Sequence, residues 1–331
     1  MSDLDDVLIV IPCLNEAATL PGLLAELAAD SGRATIVVAD GGSTDGSQAI
    51  VADWAARHAN IVLMDNPARR QAPGVNLAVA RHGAGARWLV RVDAHCGYPR
   101  DYARALVRTA EAQGVQSVVV PMVTRGSECF QRAVAAAQNS AIGTGGSPHR
   151  HVGTGKLVDH GHHALMALDT FRAAGGYRPD MSHNEDAELD CRIARVGGRI
   201  WLEPSLALAY YPRKTARALW RQYWAYGRGR ARTIALHRIA IKPRQLLPLA
   251  VPAAAALALL TPWLPIVALP LLGWAALCLG AGAMVGARAG GCAAFAGIPA
   301  MIMHLAWGCG FLYQRLADPQ GDRRGGAPAR A

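Results

Sequence analysis

The first two thirds of the chain alternate short apolar runs with longer segments of helical period. Residues 7–11, 35–39, 61–64, 88–92 and 118–120 are dominated by Val, Ile, Leu and Ala with no polar alternation, which predicts strands buried on both faces. Helical patterns follow four of them, at 21–29, 45–58, 75–81 and 102–113, and a later amphipathic helix is expected at 187–195. This βαβ alternation predicts an α/β fold: a mostly parallel sheet flanked by helices, with ligands gathered beyond the carboxyl ends of the strands.

The last third has another pattern. Residues 246–287 contain no charged side chain, twice the roughly 20 apolar residues that cross a bilayer. Pro262, Trp263 and Pro265 near the middle supply breakers and an interfacial ring, so a transmembrane hairpin is expected. Residues 289–314 form a third uncharged stretch, interrupted early by Gly290, Gly291, Gly297 and Pro299. The expected division is therefore 1–212, a cytoplasmic α/β domain; 213–245, a basic and aromatic interfacial region; 246–314, two or three membrane helices; and 315–331, a flexible tail.

Charge sharpens the division. The 331 residues carry 34 Lys and Arg against 24 Asp and Glu, yet no acidic residue lies between Glu203 and Asp318. The basicity is local to the membrane-proximal part, so nucleic acid is not an expected partner. Ten Lys or Arg fall between Arg213 and Arg244, just before the first span, which by the positive-inside rule puts the preceding domain in the cytoplasm. The run 7–11 is too short for a signal-peptide core. Three crossings would, however, export Arg323, Arg324 and Arg330, which keeps a re-entrant or interfacial third segment open as the alternative. Trp220, Tyr223, Trp224 and Tyr226 interleave with Arg217, Arg221, Arg228 and Arg230, a composition for rings at lipid headgroups and guanidinium groups on anionic lipid. The seven cysteines are dispersed without a Cys-x-x-Cys pair, so neither a disulfide framework nor a thiolate zinc site is expected.

Candidate chemistry sits at the strand ends. The first strand runs into Pro12, Asn15 and Glu16, and the second into Asp40, Gly41 and Gly42, followed by Ser43, Thr44 or Asp45 as a helix cap. A strand-end carboxylate can accept from the N3–H of a uracil. No G-x-G-x-x-G follows the first strand, which removes the dinucleotide-binding alternative. Asp93 and His95 lie two residues apart on one side of an extended segment and can share a cation. His149, His151, His160, His162 and His163 crowd one stretch, but without i, i+4 spacing or a cysteine partner they read as surface or substrate-contacting groups rather than a zinc site. Asn184, Glu185 and Asp186 open the 187–195 helix, where acidic residues also favour the helix dipole, and Glu188 and Asp190 are expected to face solvent.

The ordered set IPCLNEA, ADGGSTDG, RVDAH, GTGGSPHR, NEDAELDCRIARVGG and RQYWAYGRGR closely resembles membrane-associated family 2 glycosyltransferases with the GT-A fold, of the succinoglycan-biosynthesis glucosyltransferase type. The resemblance covers residues 6 to about 232. It implies contact of Pro12, Asn15, Glu16 and Asp40 with uridine, and of Asp93 with ribose and metal. His95 stands where the family's DxD carries a second acid, so the metal ligands would be Asp93 and His95, with Mn2+ the first choice and Mg2+ the second. Gly145, Gly146 and Ser147 would line the sugar and acceptor region, and His163 falls where this type often has histidine. Glu185 and Asp186 match the family's ED motif, whose aspartate is the general base. The Q-x-x-R-W signature of processive enzymes is matched only in part by Arg221-Gln222-Tyr223-Trp224. The expected activity is inverting transfer of one hexose, glucose from UDP-glucose, onto a lipid-linked saccharide at the inner membrane in exopolysaccharide assembly, with the catalytic domain facing the cytoplasm. The alternatives are transfer to a polyprenyl phosphate and a catalytically silent, membrane-anchored sugar-nucleotide binder.

Overall fold

The computed structural model describes residues 4–146 and 153–319. Two compact units divide the chain: residues 1–123 with 152–210, and residues 124–151 with 211–331. Residues 124–151, expected within the 1–212 domain, are thus grouped with the membrane-proximal part.

The first unit contains β1 (Val7–Cys13), α1 (Leu20–Asp30), β2 (Thr35–Asp40), α2 (Ser47–Arg57), β3 (Ile61–Asp65), α3 (Gln71–His82), β4 (Trp88–Arg91), α4 (Tyr102–Gln113) and β5 (Ser117–Val120). The short strand β6 (Met122–Thr124) leads into the second unit's α5 (Cys129–Gln138) and α6 (Ala141–Thr144). The chain then returns through β7 (Lys156–Leu157), β8 (His162–Ala167), α7 (Leu168–Ala173), α8 (Glu185–Arg195), β9 (Ile200–Leu202) and β10 (Leu208–Tyr210). Eight strands form one sheet in the order β3-β2-β1-β4-β8-β5-β9-β7, and β6 pairs with β10 separately.

β1 to β4 are mutually parallel, and β2 and β4 flank β1. The connections therefore reverse direction at β1, and the crevice beyond the ends of β1, β2 and β4 is the topological switch point where such sheets bind ligands. β8 is antiparallel to both β4 and β5. The apolar runs are explained by burial from both sides. Val7, Ile9 and Ile11 of β1 join a core with Leu20, Leu24 and Leu106, while Leu8 and Val10 join the opposite core with Val75, Phe171 and Leu189. Alternate side chains of a strand point to opposite faces, so a strand covered twice must be apolar throughout.

The second unit continues with α9 (Ala216–His237), α10 (Leu246–Leu257), α11 (Leu269–Ala289) and α12 (Gly297–Ala317). The expected hairpin is present: α10 passes through a 3-10 turn to Leu260, and helical structure resumes at Pro265. Gly290 and Gly291, both with positive φ, separate α11 from α12. Three segments in this region are long and apolar enough to cross a membrane. Two expectations are corrected here. Cys129 and Cys292 form a disulfide, a pairing across 163 residues of sequence that spacing could not signal; the other five cysteines are thiols. Tyr223 and Arg230, expected at the headgroups, are buried: α9 turns one side onto protein, and the Tyr223 hydroxyl accepts from Gln138 Nε2 at 3.1 Å.

Candidate active site

The exits of β1 and β2 are stitched together by reciprocal hydrogen bonds. Asn15 N donates to Ser43 Oγ at 2.8 Å, Asn15 Oδ1 accepts from Thr44 N at 2.8 Å, and Ala17 N donates to Asp45 Oδ2 at 2.9 Å. Asp45 also accepts from Ser47 N, ahead of α2, whose N-cap is Gly46. Asp40 is only 2 % exposed. Its Oδ2 accepts from Gly42 N, Ser43 N and Gln48 Nε2 at 2.9, 3.0 and 2.7 Å, and its Oδ1 accepts from the Ser43 hydroxyl. Burial alone would raise its pKa, but the donors from Ser43, Gln48 and Gly42 outweigh it and hold the carboxyl below its ordinary value. Asp40 is the organiser of the glycine loop, whatever further donor it accepts from. A Cβ on Gly41 would stand 3.3 Å from the Arg69 backbone, and the Arg69 guanidinium lies against Gly42. Arg69 thus brings a cation to this loop that the motifs did not indicate.

The β4 exit reaches both ways. His95 Nδ1 lies 3.0 Å from Glu16 Oε1, tying this exit to that of β1. Asp93 Oδ2 lies 3.4 Å from His162 Nε2, and Asp93 Oδ1 lies 3.7 Å from Arg91 Nε. Asp93 and His95 therefore stand at one strand end but have different partners, and the described residues contain no cluster of three acidic, His or Cys side chains shaped for a metal. Glu16 with His95 and Asp93 with His162 form two separate carboxylate–imidazole pairs, whose oxygen and nitrogen donors are of the types divalent ions take.

Beneath this lies a buried polar network. Arg91, in the middle of an apolar run and 3 % exposed, forks onto both carboxylate oxygens of Asp186, with Nη2 to Oδ2 at 3.0 Å, and donates to the Tyr177 hydroxyl at 3.1 Å. His163 touches Tyr177 through Nδ1 at 2.6 Å and Asp190 through Nε2 at 2.7 Å, and its Nδ1 lies 3.5 Å from Asp186. Asn76 fixes Tyr177 by exchanging two hydrogen bonds with its backbone, at 2.7 and 2.9 Å.

The electrostatics follow from this packing. Burial tends to raise the Asp186 pKa, but Arg91, His163 and His162 drive it far below the ordinary carboxylate range. Glu185, its neighbour at the head of α8, moves the other way: burial, then repulsion from Asp186, lift its pKa to about 7. Glu185 Oε2 is enclosed and has no hydrogen-bond partner. Burial and the Arg91 charge lower His162 to about 4.

Three expectations about these residues are corrected. Glu188 and Asp190 face inward, not solvent: Asp190 because His163 pairs with it, Glu188 because Arg192 does, at 2.6 Å, while also donating to the carbonyls of Ala174 and Gly176. His163 is fully buried and so is not a surface group. Gly145 and Gly146 follow α6 in the second unit, both with positive φ. Ser147, His149 and His151 lie outside the described residues. Arg91 and Tyr177 escaped the sequence reading, although an arginine inside a buried strand is itself a signal, since such a charge persists only when paired.

A mostly parallel sheet with a switch-point crevice, the Gly41–Gly42 loop at a strand exit and paired acids at a helix head fit the GT-A class, and residues 8–172 match the model of glycosyl transferase family 2. The chain belongs to that family and is a glycosyltransferase. It is 47% identical over 316 residues to the succinoglycan biosynthesis protein ExoA of Rhizobium meliloti (strain 1021), covering 94% of this chain and 95% of that protein. Among solved structures, the mannosyltransferase PcManGT from Pyrobaculum calidifontis, in complex with GDP-Man and Mn2+, shares the fold with a TM-score of 0.58 at 22% identity, over 94% of this chain and 88% of that one. GalNAc-T7 with UDP, GalNAc and Mn2+ shares it with a TM-score of 0.51 at 12% identity, over 71% of this chain and 48% of that one.

Proposed function

We propose that this enzyme is an inverting hexosyltransferase that moves glucose from UDP-glucose onto a lipid-linked saccharide in succinoglycan-type exopolysaccharide assembly, at the cytoplasmic face of the inner membrane. The observation that carries the reading is the meeting of the β4 exit with the head of α8: Arg91 touches both Asp93 and Asp186, and His162 stands between the two carboxylates. These contacts support a reading in which Asp93 serves the donor and the head of α8 serves the acceptor. The name of the 47% identical relative supports the pathway, and the uncharged helices support a lipid-linked acceptor.

Asn15, Glu16 and the loop held by Asp40 would cradle the nucleoside, with Pro12 shaping the turn and the Gly145–Gly146 segment contributing to the sugar and acceptor region. Asp93 and His95 would hold a divalent cation, Mn2+ before Mg2+, which when bound neutralises the leaving diphosphate. The ED resemblance gives the proton-accepting role to Asp186. The geometry supports the reverse division: Asp186, with both oxygens in the Arg91 fork, orients the helix head and keeps a fixed negative charge, while Glu185, with an enclosed oxygen that has no partner and a pKa lifted to about 7, takes the proton of the acceptor hydroxyl once the acceptor reaches it. The exposed Arg217, Arg221 and Arg228 of α9 suit anionic lipid.

The test is transfer of labelled sugar from UDP-glucose, UDP-galactose and GDP-mannose into the organic-extractable lipid of membranes carrying the full chain. Label from UDP-glucose on a lipid-linked oligosaccharide, with the anomeric configuration inverted, is expected. Label on a single sugar joined directly to a polyprenyl phosphate would replace the acceptor assignment, and transfer from another donor alone would replace the glucose.

A further inference from the structure

The three apolar segments of the second unit are not equivalent. In the most apolar windows of residues 243–260 and 265–289 only 11 % of residues are covered by protein, whereas in that of residues 291–317 the share is 56 %. The difference has a partner: α12 lies against α9 along most of its length. Leu219 and Tyr223 of α9 share a cluster with Ala300, Met303 and Ala306. About one turn on, Gly227 lets the backbone of Trp307 approach so closely that a Cβ would lie 2.0 Å from its carbonyl, and Gly310 meets the carbonyl of Trp224 at 2.2 Å in the same sense. Beyond that, Ala231 and Ile234 pack with Phe311, and Arg228 Nε donates to Gln314 Oε1 at 3.1 Å. Residue numbers rise together on both helices, so the two run parallel.

α9 carries Arg217, Arg221, Arg228, Arg230 and Arg232 within 22 residues, which excludes it from the hydrocarbon centre. A helix that runs parallel to it in close contact shares its depth. The start of α12 is pinned elsewhere as well. The disulfide joins Cys292 to Cys129 of α5, and His304 Nε2 lies 2.7 Å from the Ile142 carbonyl of α6. The α10–α11 hairpin, in contrast, keeps its charges at its base: Lys242 and Arg244 precede it, Arg288 closes it, and none lies between. Its tip closes on its own backbone, with Trp263 N and Leu264 N both donating to the Leu260 carbonyl at 3.0 Å, and Trp263 is 79 % exposed. A tip with its donors satisfied can be carried into or across lipid.

We infer that among the described residues the α10–α11 hairpin alone enters the bilayer interior, and that α12, despite a length and composition fit for spanning, lies along α9 at the membrane surface. The inference rests on the reading of the chain as a membrane protein. The chain then enters and leaves the membrane on one side, and Arg315 stays on the same side as the basic residues Arg213 to Arg244 that precede the hairpin, as the positive-inside rule asks.

The experiment places one epitope before Met1 and another after Ala331 of the full chain and exposes spheroplasts and inverted membrane vesicles to protease. Both epitopes should survive in spheroplasts and both should be cleaved in inverted vesicles. Cleavage of one epitope from each side would show an odd number of crossings and overturn the inference, because α12 would then span. Release of the whole chain by alkaline carbonate would instead overturn the membrane reading, a result separate from the placement of α12.

Discussion

The two units of this chain solve opposite solvent problems with similar residues. In the first, Leu8, Ile9, Leu89 and Leu165 are wholly buried, and the charges inside the fold are paired: Arg91 with Asp186, His163 with Asp190, Arg192 with Glu188. In the second, Leu259, Trp263, Ile266 and Leu277 are exposed, and charge is absent from the segment that carries them. Water rewards the first arrangement and lipid the second. Burial of a leucine is therefore no measure of its role unless the surrounding medium is specified, and the buried charges of the first unit are its most specific feature.

The comparison can be broken most severely at the charges. Glu185→Gln should lower transfer by about 10² to 10⁴-fold at neutral pH with the fold intact. The wild-type rate should fall as pH drops through about 7, because the base is then protonated, and the residual rate of the variant should lose that dependence. Asp186→Asn should also lose activity, but with a stability loss, since it unpairs Arg91. A flat wild-type profile with an active Glu185→Gln enzyme would return the base role to Asp186.

Arg91→Met tests the buried pairing directly. Removing one partner of a buried ion pair costs about 3 to 5 kcal/mol, so the first unit should unfold at distinctly lower denaturant. Arg57→Met, which breaks the exposed pair with Asp53, should cost no more than about 1 kcal/mol. Equal effects would refute the distinction.

Among apolar positions, Leu89→Ala should destabilise by about 2 to 5 kcal/mol, and Leu259→Ala, measured in detergent, by no more than about 0.5 kcal/mol. Thermal unfolding of both variants in one detergent decides it; a large loss at Leu259 would mean that protein, not lipid, covers the 3-10 turn after α10. A last test concerns the metal, where the change expected at His95 is one of preference. Activity should vanish in EDTA, and His95→Asp should shift the preference from Mn2+ toward Mg2+ by replacing a nitrogen donor with a harder oxygen. Unchanged preference would remove His95 from the ligand set.

Local pattern by itself determined the strands β1 to β5, the hairpin with its turn at Pro262 and Trp263, and the clustering of polar motifs at strand exits. Each of these depends on neighbours a few residues away, through the period of two, the period of 3.6, or an uninterrupted apolar run, and so is written in the sequence directly. The tertiary structure alone decided what lies beside what. β8 enters antiparallel between β4 and β5, and that placement sets His162 and His163 against residues of β4 and α8. Glu188 and Asp190, polar on a helix with an apolar side, looked like solvent-facing residues; they are buried because Arg192 and His163 neutralise them there. The Cys129–Cys292 bond and the bed that α9 makes for α12 likewise depend on chain paths that no local period encodes. An apolar helix carries in its sequence the need to be covered, but whether lipid or another helix covers it is settled only when the chain has folded.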